Sequence, residues 1–130
     1  MNSGKIQVAV VDDDESFARA LGRLLRAAGC EVDTFSSAEA FSTRKTAPNP
    51  DCLLLDIQLG GMSGLDLLRQ LRNSGSLTPV IFVTAHDGPE VREEAQQAGC
   101  AAYLRKPVPG HALLEALARA VSPGDKPPPP

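Results

Sequence analysis

The chain has 130 residues, enough for one domain with its own hydrophobic core and too few for two of ordinary size. A formal charge of −3 gives no basic footprint for nucleic acid, and 42% hydrophobic content is that of a soluble globular domain. No run approaches the roughly 18 apolar residues of a membrane span and nothing resembles a signal peptide, so a cytoplasmic domain is expected, with no membrane or direct nucleic-acid partner.

In chain order, "IQVAVV" (6–11) predicts a strand that runs into Asp12, Asp13 and Asp14. A helix follows, because Phe17, Leu21, Leu24, Leu25 and Ala28 recur at helical spacing, with Arg19, Arg23 and Arg26 elsewhere. Gly29 stops that helix in a left-handed cap, and "EVDTF" (31–35) predicts the second strand. "SAEAFSTRK" predicts a helix capped by Ser36 or Ser37. "CLLLD" (52–56) is a third strand ending on Asp56, just before a glycine-rich turn.

A third helix is predicted from Leu65 to Arg72, with Leu65, Leu68 and Leu71 inward. "PVIFVT" (79–84) is a fourth strand ending on Thr84, and "GPEVREEAQQA" is a helix with few large apolar residues. Gly99 stops it, and "AAYLR" (101–105) leads into Lys106 and Pro107. The last helix begins near Pro109 and carries Leu113, Leu114, Leu117 and Val121. "SPGDKPPPP" (122–130) cannot continue it and reads as an extended tail or linker remnant, which leaves 1–121 as the domain.

Runs one, three and four are almost continuously apolar, as in strands buried on both faces of a parallel sheet, whereas two and five suit flanking positions. Strand and helix alternate throughout, which predicts a single doubly wound α/β domain with helices on both faces. Cys30, Cys52 and Cys100 are odd in number with no CxxC pair, so they read as small buried residues, not as a disulfide or zinc framework.

Ligands of such sheets bind beyond the carboxyl ends of the strands. Asp12, Asp13, Asp56, Thr84 and Lys106 all fall on that edge. Each alone has a simpler explanation. Acids opening a helix suit its dipole, a strand-terminal aspartate is often a cap, and a Lys-Pro step is usually a solvated charge. Their convergence on one rim is what those explanations leave over. Clustered carboxylates call for a hard divalent cation such as Mg²⁺ or Mn²⁺. One carboxylate beside it can act as a nucleophile toward phosphorus, with lysine and cation neutralising the phosphoryl group and a threonine hydroxyl bonding its oxygens. Asp56 stands alone and is the natural nucleophile, while Asp12 and Asp13 form the metal pair.

The pair Asp12-Asp13, Asp56 followed by "IQLGGMSG", Thr84-Ala85 and "YLRKP" together resemble the receiver domain of two-component response regulators, the CheY-like fold. "SSAEAF" and "GMSGLDLL" are most similar to receivers of the FixJ kind. The resemblance covers residues 5–121 and implies a five-stranded parallel sheet in order 2-1-3-4-5. It implies phosphoryl transfer to Asp56 from a sensor histidine kinase or phosphotransfer protein. It also implies a metal held by Asp12, Asp13, Asp56 and the carbonyl of Gln58, and contact of Thr84 and Lys106 with the phosphoryl group. Tyr103 would be the aromatic that turns inward when Thr84 shifts, although on its own it reads as a half-exposed tyrosine of an edge strand. The helix 4/strand 5/helix 5 face would then act on a partner, a second copy or a C-terminal output domain. Gly60, Ala85, His86 and Pro107 fall at loop positions that would modulate the site. Gly60 departs from the family, which usually has proline there, and so relaxes the loop that supplies the metal-binding carbonyl.

Two other readings compete. "VVDDDES" is similar to the strand end of haloacid-dehalogenase-like phosphatases, with Asp12 as nucleophile, but that leaves Asp56 without a comparable role. The other is a phosphorylation-independent interaction module on the same fold, against which the intact set of acids, threonine and lysine argues.

Overall fold

Apolar runs and glycine stops organise the chain into alternating strands and helices, seen in a computed structural model that describes residues 4–44, 49–85 and 88–121. The expected tail (122–130), His86 and the far end of the expected second helix at Lys45 lie outside the described residues. The elements are β1 (Gln7–Val11), α1 (Glu15–Ala27), β2 (Glu31–Phe35), α2 (Ala38–Ser42), β3 (Cys52–Leu55), α3 (Gly64–Asn73), β4 (Val80–Thr84), α4 (Pro89–Gln97), β5 (Ala102–Arg105) and α5 (Gly110–Val121). The strands form one sheet in the order β2-β1-β3-β4-β5, every pair parallel. The mixed runs are the edges and the continuously apolar runs are the centre, as buried parallel strands require.

Period-2 alternation divides the core between the two faces. Val8, Val10, Cys52, Leu54, Ile81 and Val83 pack on one side with Leu21 and Leu25 of α1 and Leu113 and Leu117 of α5. Ala9, Val11, Leu53, Leu55, Val80 and Phe82 face the other way, against Phe41 of α2, Leu67 and Leu68 of α3 and Ala95 of α4. Burying each large aliphatic side chain contributes about 1.5–3 kcal/mol, so the central strands anchor everything that projects from their ends.

The helices follow their expected signals with three differences. Ser37, not Ser36, caps α2 by accepting from the Ala40 amide at 3.0 Å, and the helix ends at Ser42, where the Thr43 hydroxyl donates to the Glu39 carbonyl at 2.8 Å. Leu67 is fully buried while Leu71 is only partly so, because α3 packs a face wider than one stripe of leucines. Ala28 is exposed, since α1 ends at Ala27 and its buried face is Ala18, Leu21, Gly22 and Leu25. Gly29 and Gly99 do close their helices with φ of +95° and +93°. The amides that follow, of Cys30 and Cys100, bond back to Leu25 and Ala95.

Candidate functional site

The carboxyl ends of β1, β3, β4 and β5 each deliver a polar side chain: Asp12, Asp56 and Lys106 stand just past the last paired residues of β1, β3 and β5, and Thr84 is the last paired residue of β4. The Asp12 amide donates to the Phe35 carbonyl at 3.0 Å and the Asp56 amide to the Val11 carbonyl at 3.1 Å. The Lys106 amide donates to the Thr84 carbonyl at 2.8 Å. Sheet hydrogen bonds therefore set the relative positions of these four residues before any side-chain contact forms.

Asp12 is almost fully buried at 2% exposure, Asp56 is buried at 7%, and Thr84 is fully buried. The Lys106 ammonium joins the two carboxylates, with Nζ 2.8 Å from Asp12 Oδ2 and 3.2 Å from Asp56 Oδ2. The other Asp12 oxygen accepts from the Asp14 amide at 2.9 Å, and Asp56 Oδ1 accepts from the Gln58 amide at 3.0 Å. Asp13 stays exposed, yet one oxygen from each of Asp12, Asp13 and Asp56 lies within 4.8 Å of the others. This is a hard, all-oxygen donor set that could hold a divalent cation.

Burial pushes the Asp12 carboxyl above its ordinary value, and Asp56 adds to that, while Lys106 and the Asp14 amide only partly offset it. Burial alone would lower the Lys106 ammonium, but hydrogen bonds and charge from Asp12 and Asp56 outweigh it and hold Lys106 above its usual range. The buried acid thus costs stability when ionised, and the lysine is the internal counter-charge that keeps it so.

The lysine has one further partner that the sequence did not signal. Its ammonium sits 4.1 Å from the ring centroid of Phe17, in the first turn of α1. A cation over an aromatic face is attracted by the ring quadrupole, so Phe17 helps to fix where Lys106 points.

Tyr103 corrects an expectation. It is buried at 9% exposure, with its ring 6.1 Å from that of Phe82 and under the Arg92 guanidinium of α4 at 5.4 Å. β5 is an edge strand, but α4 covers the face on which Tyr103 stands, so the half-exposed reading fails and the ring already lies inward. Gln58, Gly60, Ala85 and Pro107 are exposed around the rim, and the Lys106-Pro107 peptide is cis. The haloacid-dehalogenase-like reading gains nothing here, because it gives Asp56 no role, whereas Lys106 ties Asp56 and Asp12 into one cluster.

Two glycines of the β3–α3 loop matter in ways the sequence reading passed over. A side chain at Gly64 would collide with the Asp56 carbonyl oxygen, so α3 begins in direct backbone contact with the residue that carries the site. Gly61, with φ of +77°, takes the left-handed conformation that Gly60 does not need.

Sheet order, helices on both faces and an acidic cluster with its own ammonium at the carboxyl rim define a CheY-like domain. The chain belongs to the response regulator receiver domain family, whose pattern matches residues 8–118. Over 114 residues it is 35% identical to the response regulator protein TodT of Pseudomonas putida, a match covering 88% of this chain and 50% of TodT. Over 113 residues it is 38% identical to the DNA-binding transcriptional regulator NtrC of Klebsiella pneumoniae, covering 87% of this chain and 24% of NtrC. The crystal structure of a response regulator receiver protein from Burkholderia phymatum is similar with a TM-score of 0.79 at 41% identity, covering 96% of this chain and 100% of that one. The chain spans half the length of TodT and a quarter of NtrC. It is a signalling domain of the two-component kind. Among the described residues no helix is long and apolar enough to cross a membrane.

Proposed function

We propose that Asp56 accepts a phosphoryl group from a sensor histidine kinase or phosphotransfer protein. An Asp56 oxygen forms the new O–P bond as the P–N bond to the donor's histidine breaks and the imidazole leaves. The carrying observation is the Lys106 ammonium bridging Asp12 and Asp56 with an Asp13 oxygen alongside. Asp12, Asp13, Asp56 and the Gln58 backbone carbonyl would hold Mg²⁺ or Mn²⁺, and the three-carboxylate donor set fits such an ion. Bound there, the ion supplies neutralising charge to the phosphoryl oxygens. Lys106 supplies the second positive charge, and its Phe17 and carboxylate contacts orient it in advance. Catalysis by this chain is confined to its own phosphorylation and dephosphorylation.

Thr84 and Tyr103 carry the signal outward in this reading. The buried Thr84 hydroxyl bonds the new phosphoryl oxygens, and the shift is passed to Tyr103 and to the α4 helix that covers it. The α4/β5/α5 face then acts on a partner, a second copy or an output domain of the kind that longer relatives leave room for.

Incubation with acetyl phosphate and Mg²⁺ should add one phosphoryl mass to the intact protein, lost with EDTA and in Asp56→Ala. Unchanged labelling of Asp56→Ala sinks the assignment. Thr84→Ala should accept phosphate yet show smaller amide shifts in α4 by NMR when beryllofluoride stands in for the phosphoryl group. A full response in that variant refutes the relay.

A further inference from the structure

The β3–α3 loop carries the proposed Gln58 ligand and is anchored at both ends. At its start the Gln58 amide donates to Asp56, and at its end the Gly64 amide donates to the Ile57 carbonyl at 3.0 Å, beside the reciprocal cap of Ser63 and Asp66. Between these anchors lies Gly60-Gly61, a pair with more backbone freedom to lose than any other dipeptide. A restraint reaches this stretch from a different element. Glu39, in the first turn of α2, accepts from the Met62 amide at 2.8 Å through Oε2. The same carboxylate lies so close to Gly61 that any side chain there would run into it. That amide also holds the Glu39 carboxyl below its ordinary value, as expected of a carboxylate bonded in its charged form.

We propose that Glu39 is a positioning residue for the acidic rim, holding the Gly60-Gly61 segment through the Met62 amide and so pre-setting the loop that presents the Gln58 carbonyl. The inference rests on the reading of Asp12, Asp13, Asp56 and Gln58 as a cation site. A ligand that must first order a loop binds more weakly by the fraction of molecules in which the loop is already ordered. Glu39 raises that fraction without touching the cation. It does in this chain what a ring at position 60 would do covalently, since Gly60 lies outside the left-handed region and a Cβ there would meet nothing within 4 Å.

Mg²⁺ titration by calorimetry, together with metal-free thermal melts, tests this on wild type, Glu39→Ala, Glu39→Gln, Glu39→Ala/Gly60→Pro and Asp13→Ala. Glu39→Ala should lose roughly threefold to tenfold in Mg²⁺ affinity, less than is typical when a side chain bonded directly to a ligand is removed. Its metal-free melting temperature should stay within about 3 °C of wild type, because Glu39 is a surface residue. Glu39→Gln keeps an oxygen that can accept from Met62 and should lose less than the alanine variant. Adding Gly60→Pro to Glu39→Ala should recover most of the affinity. Wild-type affinity in Glu39→Ala, equal losses in the glutamine and alanine variants (a pure charge effect), or no recovery by Gly60→Pro overturns the proposal. Wild-type affinity in Asp13→Ala overturns the cation site itself, and this inference with it.

Discussion

Helices α3 and α4 share one face of the sheet and are tied to each other by the exposed Arg69–Glu94 ion pair at 3.3 Å, yet they are anchored very differently. α3 opens with a reciprocal cap between Ser63 and Asp66 and buries Gly64, Leu65, Leu67 and Leu68. α4 opens on Gly88 with no side-chain cap and buries Ala95 alone. The ion pair between them, half exposed at both ends, contributes little. One helix is fixed to the strand that bears Asp56, and the other lies lightly over Tyr103. A switch needs this asymmetry: a rigid side to hold the chemistry and a weakly held side whose packing can change.

The comparison can be broken most forcefully at the start of α3. Gly64→Ala forces a methyl group into the Asp56 carbonyl, and we expect a loss of about 2–3 kcal/mol by urea denaturation, with phosphoryl labelling of Asp56 impaired as well. Of comparable size, Leu68→Ala should cost about 2–3 kcal/mol, whereas Val91→Ala in α4, where the side chain is only partly buried, should cost less than about 1 kcal/mol. Equal costs at the two sites would end the contrast. Ser63→Ala removes the α3 cap and should cost about 1 kcal/mol. Smallest of all, Gly88→Ser offers α4 the cap it lacks and should gain a few tenths of a kcal/mol while slowing amide hydrogen exchange in its first turn. No slowing there would mean that α4 is not limited by its open end.

Much of this was readable from residues alone. The centre and edges of the sheet followed from where the apolar runs were continuous and where they were mixed, and the rim followed from which residues ended those runs. Both signals are local, so a linear reading captures them. What escaped it depends on pairs distant in sequence. The burial of Tyr103 comes from α4 crossing an edge strand, and the Lys106–Phe17 contact joins the two ends of the fold. The Glu39–Met62 bond likewise joins two separate elements, whereas the approach of Gly64 to Asp56 depends on how the loop between them folds back. In α3, reading one stripe of leucines missed Leu67 because a helix against a sheet buries a face wider than a seam.

The register of β1 against β3 has a consequence for how the protein assembles. Val11 stands opposite Leu55, which sets Asp12 level with Asp56 one step further on. A slip of one residue between these strands would move one carboxylate by about 3.3 Å along the sheet and turn its side chain to the opposite face. Lys106 could not then reach both acids. The rim is therefore a gauge of correct strand alignment. A misaligned chain would carry no weakened version of the site but none at all, so the fraction of molecules able to bridge Asp12 and Asp56 counts the fraction that has folded in the right register.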